Sequence, residues 1–441
     1  MSVVKELPPR QAVPLEQTWN KESVFPSADA WQTELEQVRA EVAKLAAYAG
    51  RLHESAATLA DYLEAGSLAR RRILKLRFYA MMSMAVDAGD NAAKAMSGQA
   101  LAISAQYSAA SAFLEPEILA MDEAQLRGWL AEDARLGVYA HALDDVLRQK
   151  AHVRSTEVEE LLGLVEESFA GPAQISSELS NTDLEFAAAR TRDGEEVAMG
   201  QGAIMLALRS TDRMLRATAW ESYSDSYLRY RNTFAATYLT SVKQNVFKAR
   251  TRRYASTLEA ALDPFNLPVE VFHNLIAAYR ANLPTWHRYW EVKRRALGVD
   301  ALRPYDIWAP LVDDEPAVPF EQAVDWIATA LEPLGSEYTA ALRRGCLEQR
   351  WVDYALNKGK RQGAFSGGSY DTYPFIMMSY DNGLGGMSTL AHELGHSMHS
   401  YFSRRTQPEV YASYSLFVAE VASNFNRSEE RRVGKECRSR W

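Results

Sequence analysis

Thr389-Leu-Ala-His-Glu-Leu-Gly-His-Ser-Met-His399 carries the one residue pattern in this chain whose chemistry is legible from the order of residues alone. His392, Glu393 and His396 form H-E-x-x-H. On a helix, residues four apart lie one turn apart on the same side, so both imidazoles reach a single ion while Glu393 faces water at that ion. Zinc suits such a set. It takes neutral imidazole nitrogens, does no redox chemistry, and with three protein ligands keeps a fourth position for water, whose pKa it lowers to about 7. The plain alternative is a pair of histidines satisfied within a core helix. The flanks favour the metal: Gly383, Gly385 and Gly386 make a turn-rich entry, Ser388 or Thr389 is placed to cap the helix, and Leu390, Leu394 and Met398 supply an apolar stripe.

A third ligand is required, and two residues compete for the place. His399 shares a face with His396, but it lies seven residues beyond His392, roughly 10 Å along a helix axis, too far for three rings to close on one ion. His399 therefore reads as a packing or supporting histidine. Glu420 sits in Ser415-Leu-Phe-Val-Ala-Glu-Val-Ala-Ser-Asn-Phe425, an apolar run dense enough for a buried helix. An unpaired carboxylate there is costly and a metal-bound one is not. Pro408 separates the two helices and leaves room for the chain to reverse. A surface acid or a core salt bridge is the alternative reading of Glu420. Two histidines, a glutamate and an open position make the catalytic rather than the structural zinc pattern.

Phe365-Ser-Gly-Gly-Ser-Tyr-Asp-Thr-Tyr-Pro-Phe-Ile-Met-Met-Ser-Tyr380, the motif segment and Phe417-Val-Ala-Glu-Val-Ala-Ser423 together resemble the oligoendopeptidase F branch of the thimet-oligopeptidase-like zinc metallopeptidases. The likeness continues upstream through Leu302-Arg-Pro-Tyr-Asp-Ile-Trp-Ala-Pro-Leu311 and Tyr230–Tyr238, and more faintly to Trp19 and Phe25-Pro26. It implies a mainly α, multi-helix, clamshell-type metallopeptidase with a small β-sheet beside the metal helix, one Zn2+ per chain, and hydrolysis of internal bonds in short oligopeptides. It also implies an edge strand that pairs with substrate backbone, for which the small residues Ser366, Gly367 and Gly368 would admit a close approach. An ordinary turn there is the even alternative.

Composition sets outer bounds. With 441 residues, two or more subdomains are expected. Apolar residues at 47% and charged residues at 24% are those of an ordinary globular protein, and a formal charge of −8 gives no basic footprint for nucleic acid or an anionic membrane. Two cysteines, Cys346 and Cys437, exclude a disulfide framework and make a reducing cytoplasm the simplest compartment. The first twenty residues hold no apolar core of signal-peptide length, and no eighteen apolar residues run unbroken.

Residues 1–27, with Pro8, Pro9, Pro14 and Pro26, read as an extended arm over the body. Periodicity predicts helices over 30–49, 54–65, 69–88, 92–114, 123–132, 136–152 and 156–169, which make an N-terminal helical domain of residues 28–182. Asp193-Gly194 predicts a small hairpin at the start of a catalytic domain, residues 183–426. One long helix is expected over 269–297 with a kink at Pro284, and two more over 319–349 with a break near Pro333-Leu-Gly335. Arg427–Trp441 abandons apolar periodicity and looks like translated sequencing adapter, so 427–441 reads as a non-native tail on a catalytic domain incomplete at its C-terminus.

In the mechanism these residues imply, Glu393 is the general base for a zinc-activated water. The resemblance places oxyanion-supporting tyrosine and histidine side chains in a later segment, beyond the end of this chain. Three readings therefore stand: an intracellular endopeptidase for oligopeptides, a zinc- and peptide-binding helical protein without turnover, and a dipeptidyl carboxypeptidase with a cationic site for a terminal carboxylate.

Overall fold

In the computed structural model of the chain, Ser27, Ser55 and Asp90 each turn a side-chain oxygen onto free backbone N–H groups that open a helix. The helices so capped run Ala28–Leu45, Ala56–Val86 and Asn91–Ser111. Their inward faces carry Trp31, Leu35, Val38, Leu59, Leu76, Met82 and Ile103, all buried in one apolar core. The structure describes residues 8–427 other than 156–157, 159–160, 163–164, 166–167, 201–202, 313–315 and 362. The helix expected over 156–169 lies largely outside the described residues, as do Cys437 and positions 428–441 of the expected tail.

The chain divides into two compact units, one of them Arg148–Asp314 and the other built from the sequence on both sides of it. The expected N-terminal helices supply the flanking unit as far as Leu147, and the expected catalytic portion supplies both units. In the flanking unit a second apolar core gathers Val324, Leu342, Trp351, Ile376, Leu390, Leu394 and Met398. Beside it lies a three-stranded sheet. Numbering all strands in chain order, a two-stranded hairpin comes first, with β1 (Ala189–Arg190) antiparallel to β2 (Glu196–Val197). The sheet follows with β3 (Val352–Asp353), β4 (Phe365–Gly367) and β5 (Phe375–Met377), in the order β3-β5-β4. β3 runs parallel to β5 and β4 antiparallel to it, with Ser366 opposite Ile376. The chain is mainly helical with small sheets, as the sequence reading expected.

Gly194 in the hairpin and Gly335 between Phe320–Ala330 and Ser336–Leu347 both have positive φ, 84° and 99°, which accounts for glycine at these two breaks. Several boundaries differ from expectation. The helices expected over 54–65 and 69–88 are one helix, because Gly66 is buried in its interior and the apolar rows on either side outweigh the modest helix cost of a glycine. The 269–297 helix is two, Val269–Ala281 and Leu283–Ala296, with Pro284 in the first turn of the second, where a missing N–H costs nothing. The segment 136–152 likewise splits, into Ala134–Gly137 and Ala140–Arg148. In the described part of the expected extended arm, residues 8–27, three short 3-10 turns interrupt the chain, two of them opening at Pro9 and Pro14.

That arm docks on the β3 side of the sheet. Asn20 N–H donates to Arg350 O at 2.8 Å, Tyr354 N–H donates to Gln17 O at 3.1 Å, and Arg10 pairs with the fully buried Asp353. Among the described residues no helix is long and apolar enough to cross a membrane.

Candidate metal centre and active site

The motif lies on a 23-residue helix, Leu384–Thr406. It starts one turn before the expected cap: Gly383 is the N-cap residue, and its N–H donates to Asp381 Oδ1 at 3.0 Å. Ser388 and Thr389 lie inside the helix, where Thr389 Oγ1 donates to Gly385 O and Ser388 Oγ accepts from Arg427 Nε. The early start is possible because Gly386 packs where a Cβ would come within 2.5 Å of Asp381 Oδ1. Leu390, Leu394 and Met398 are fully buried and anchor one face. The other face presents His392, Gly395, His396 and His399 at i, i+3, i+4 and i+7.

After Pro408 and the 3-10 turn Glu409–Tyr411, the chain reverses into the helix Leu416–Arg427, which lies against that second face. Glu420 Oε2 is 3.5 Å from His392 Nε2, and Glu420 Oε1 is 3.8 Å from His396 Nε2. The two imidazole rings are perpendicular, 4.9 Å between centroids. Ligand atoms of all three residues lie within 4.8 Å of one another, the one such metal-capable group among the described residues. Two donors held at about 2.0–2.1 Å from a tetrahedral zinc sit about 3.3 Å apart, so these separations fit that ion with small side-chain adjustments. Both histidines are held below their ordinary pKa. For His392 the causes are burial and then the charge of His396; for His396 burial outweighs the opposing pull of Glu420. The neutral imidazole needed for ligation is therefore favoured.

Glu393, 6% exposed, lies at the inner wall of the same group. Burial, followed by the Glu420 charge, pushes its carboxyl up to about 7, against a hydrogen bond from the Ser366 backbone N–H. Ser366 thus reaches the site through its main chain. Its hydroxyl meets Ser397 Oγ at 2.8 Å, and Ser397, fully buried on the motif helix, donates to Pro374 O at 3.2 Å. These bonds tie the edge strand β4 to the helix that carries the motif. Gly367 and Gly368 answer first to the protein's own packing. A Cβ on Gly367 would meet the Phe78 ring at 3.0 Å, and one on Gly368 would meet Arg404 Nη1 at 2.5 Å and Tyr373 O at 2.7 Å.

His399 stacks flat on Tyr414, 3.7 Å between ring centroids, and stands outside the metal-capable group. The Tyr414 hydroxyl bonds Ser400 Oγ at 2.6 Å and lies 3.4 Å from His396 O, so this stack braces the motif helix. Glu420 is braced by Ser423, whose Oγ donates to Oε2 at 2.8 Å. Sequence reasoning missed Gly395, Ser397 and Ser423. An isolated glycine inside a helical pattern was the signal available for Gly395.

The Leu416–Arg427 helix, apolar enough for burial, is covered on one side only. Ala419, Ser423 and Asn426 are buried, while Leu416 is 73% and Val421 59% exposed, and the Glu420 side chain is 46% exposed. The physical reason is that its outer face has no covering element among the described residues.

Residues 206–428 match the model of peptidase family M3, and residues 117–186 match that of oligopeptidase F. The chain is 38% identical over 422 residues to oligopeptidase PepF of Bacillus subtilis, covering 96% of this chain and 63% of that protein. It is 34% identical over 408 residues to group B oligopeptidase PepB of Streptococcus agalactiae, covering 92% and 68%. It thus spans about two thirds of the length of these curated relatives. Among solved structures, oligoendopeptidase-F from Enterococcus faecium superposes with a TM-score of 0.64 at 28% identity, over 90% of this chain and 65% of that one. A Chlamydophila abortus protein described as a peptidase superposes with a TM-score of 0.78 at 30% identity, over 96% and 71%. Peptidases of family M3 are zinc-dependent, in keeping with the donor set assembled here. With the motif helix, its glutamate-bearing neighbour and nearly the whole sequence aligned to such relatives, the chain belongs to peptidase family M3, in its oligopeptidase F branch.

Proposed function

We propose that this chain carries the centre of a zinc-dependent endopeptidase acting on internal bonds of short oligopeptides, with one Zn2+ held by His392, His396 and Glu420. The observation that carries the reading is the meeting of two imidazoles from one helix with a carboxylate from the next, beside an otherwise buried glutamate. Bound there, the ion supplies Lewis acidity toward a scissile carbonyl and toward water. Glu393 accepts a proton from the attacking water at a carboxylate oxygen and passes it to the departing amine. The Ser366 N–H holds that carboxylate in place, and Ser397 holds Ser366. Peptide backbone lies along the edge strand β4 at Ser366–Gly368, the strand of the sheet nearest Glu393. Substrates are oligopeptides rather than nucleic acid or membrane, in line with the charge of −8, and the sparse cysteines suit the cytoplasm.

A second reading is metal and peptide binding without turnover. The half-exposed Glu420 and the open apolar side of its helix favour it, because a wall that excludes water and supplies oxyanion donors strengthens this chemistry, and each such donor contributes about 10²–10³ in rate. Hydrolysis of a quenched internal peptide, measured with and without chelator, separates the two. Glu393→Gln is expected to retain zinc and lose at least about 10²-fold in turnover. Retained hydrolysis in that variant removes Glu393 as the base. A strict need for a free terminal carboxylate, seen by comparing amidated with free-acid peptides, would instead mark a dipeptidyl carboxypeptidase.

A further inference from the structure

In H-E-x-x-H the two unspecified positions carry no ligand, yet one of them is decisive in this fold. Leu394 points into the core and is fully buried. Gly395 faces the other way, between His392 and His399 on the side covered by the Leu416–Arg427 helix. A Cβ built on Gly395 would lie 2.6 Å from Ala422 O, 2.6 Å from Ser423 Cα and 3.0 Å from Ala422 C. All three are backbone atoms, so no side chain can rotate aside. Ordinary carbon contacts begin near 3.5 Å, so an alanine drives the helices apart by about 1 Å. The contact lies within one turn of Glu420, and Ser423, which forms its other side, donates to Glu420 Oε2 at 2.8 Å. The Glu420 oxygens already stand 3.5 and 3.8 Å from the imidazole nitrogens, slightly beyond the span of a tetrahedral ion, so the site has little room for retreat.

We propose that Gly395 and Ser423 are the positioning residues of the metal centre: the missing side chain sets the helix crossing close enough, and the hydroxyl aims the carboxylate, for Glu420 to join the two histidines on one ion. This rests on the three-ligand reading of His392, His396 and Glu420. Gly395 touches no substrate and ligates nothing, and its effect passes wholly through Glu420.

The test uses the full chain and measures zinc affinity by competition with a chromogenic chelator, together with the visible d–d spectrum of the cobalt(II) form. Circular dichroism and melting under chelator report folding of the metal-free protein. Wild type is expected to bind one zinc, and Glu420→Ala to bind it much more weakly. Gly395→Ala and Ser423→Ala are each expected to lose at least about 10-fold in zinc affinity, the scale of losing a residue that supports a ligand. The cobalt spectrum of Gly395→Ala should shift toward that of Glu420→Ala. Gly128→Ala, a helical glycine with no atom within 4 Å of an added Cβ, controls for helix propensity and should match wild type in both metal readouts.

A Gly395→Ala protein that melts lower but keeps wild-type affinity and spectrum has lost packing only, and overturns the proposal. If Gly395→Ala does not fold, Ser423→Ala decides: unchanged affinity and spectrum overturn it, and the expected loss supports it. If wild type binds no zinc, or Glu420→Ala binds as tightly as wild type, the three-ligand reading fails and takes this inference with it.

Discussion

At the scale of the residue, sequence pattern is informative where chemistry is local and silent where it is not. His392, Glu393 and His396 stand within five positions, and their spacing alone puts the two histidines one turn apart on one face. Ser397 is unreadable in the sequence because its partners, Ser366 and Pro374, lie 31 and 23 positions away. Cys346 shows how burial decides reactivity. Enclosed in the second core, its thiol is pushed up to about 12 by loss of solvation, so at neutral pH it carries essentially no thiolate, the reactive form. Alkylation of the native protein at pH 8 should leave the peptide containing Cys346 unlabelled, and denaturation should label it fully, as read by peptide mass mapping. Rapid native labelling would mean that this core opens readily.

At the scale of the element, helix existence is legible from apolar periodicity and helix limits are less so. Gly66 illustrates why. Read locally, a glycine followed by a serine is a break, yet the 31-residue helix Ala56–Val86 runs through it because both flanks bury apolar rows in the same core. An added Cβ there would touch Tyr107 Oη at 3.7 Å, an ordinary contact. Gly66→Ala should therefore stabilise the chain by up to about 1 kcal/mol, through helix propensity and a less flexible unfolded state, as measured by denaturant unfolding. A loss of stability would show that the packing at Tyr107 is tighter than its distance implies. The motif helix teaches the converse lesson. It begins a turn earlier than its residues suggest because the serine and threonine favoured as caps are engaged elsewhere, while Asp381 restrains the first turn from outside the helix.

At the scale of the whole molecule, the class of fold follows from the abundance of helical periodicity, whereas the return of the chain's later part to its first helices does not, since nothing local announces it. The Arg148–Asp314 unit is held by a buried charge cluster. Asp306 is fully buried, with Arg213 Nη2 at 2.9 Å and Arg216 Nη2 at 3.0 Å. Burial raises the Asp306 pKa, but hydrogen bonds from Arg213, the Arg303 backbone N–H and Arg216 outweigh it and hold the carboxyl below its ordinary value. A folded pKa below the unfolded one, about 3.9, means stability that is fully present above the unfolded value and lost as pH falls through the folded one. Acid unfolding of this unit should set in below about pH 4, and Asp306→Asn should reduce that pH dependence, leaving the share carried by Asp212 and Glu291, which are also held below their ordinary values. The same substitution should cost about 3–5 kcal/mol near neutrality, because it strands Arg216 without its counter-charge. Calorimetry across pH 3–7 reads both effects.

The N-terminal turns docked along β3 give the three-stranded sheet two unlike borders. On one side the polypeptide has sealed its own ribbon with Gln17 and Asn20, leaving no row of bare amides for a stranger to zip onto. On the other, at β4, no further strand joins the border beside Glu393 among the described residues. A molecule shorn of its first twenty residues would bare the sealed border as well, and should tend to pair with copies of itself there, which its oligomeric state in solution would reveal.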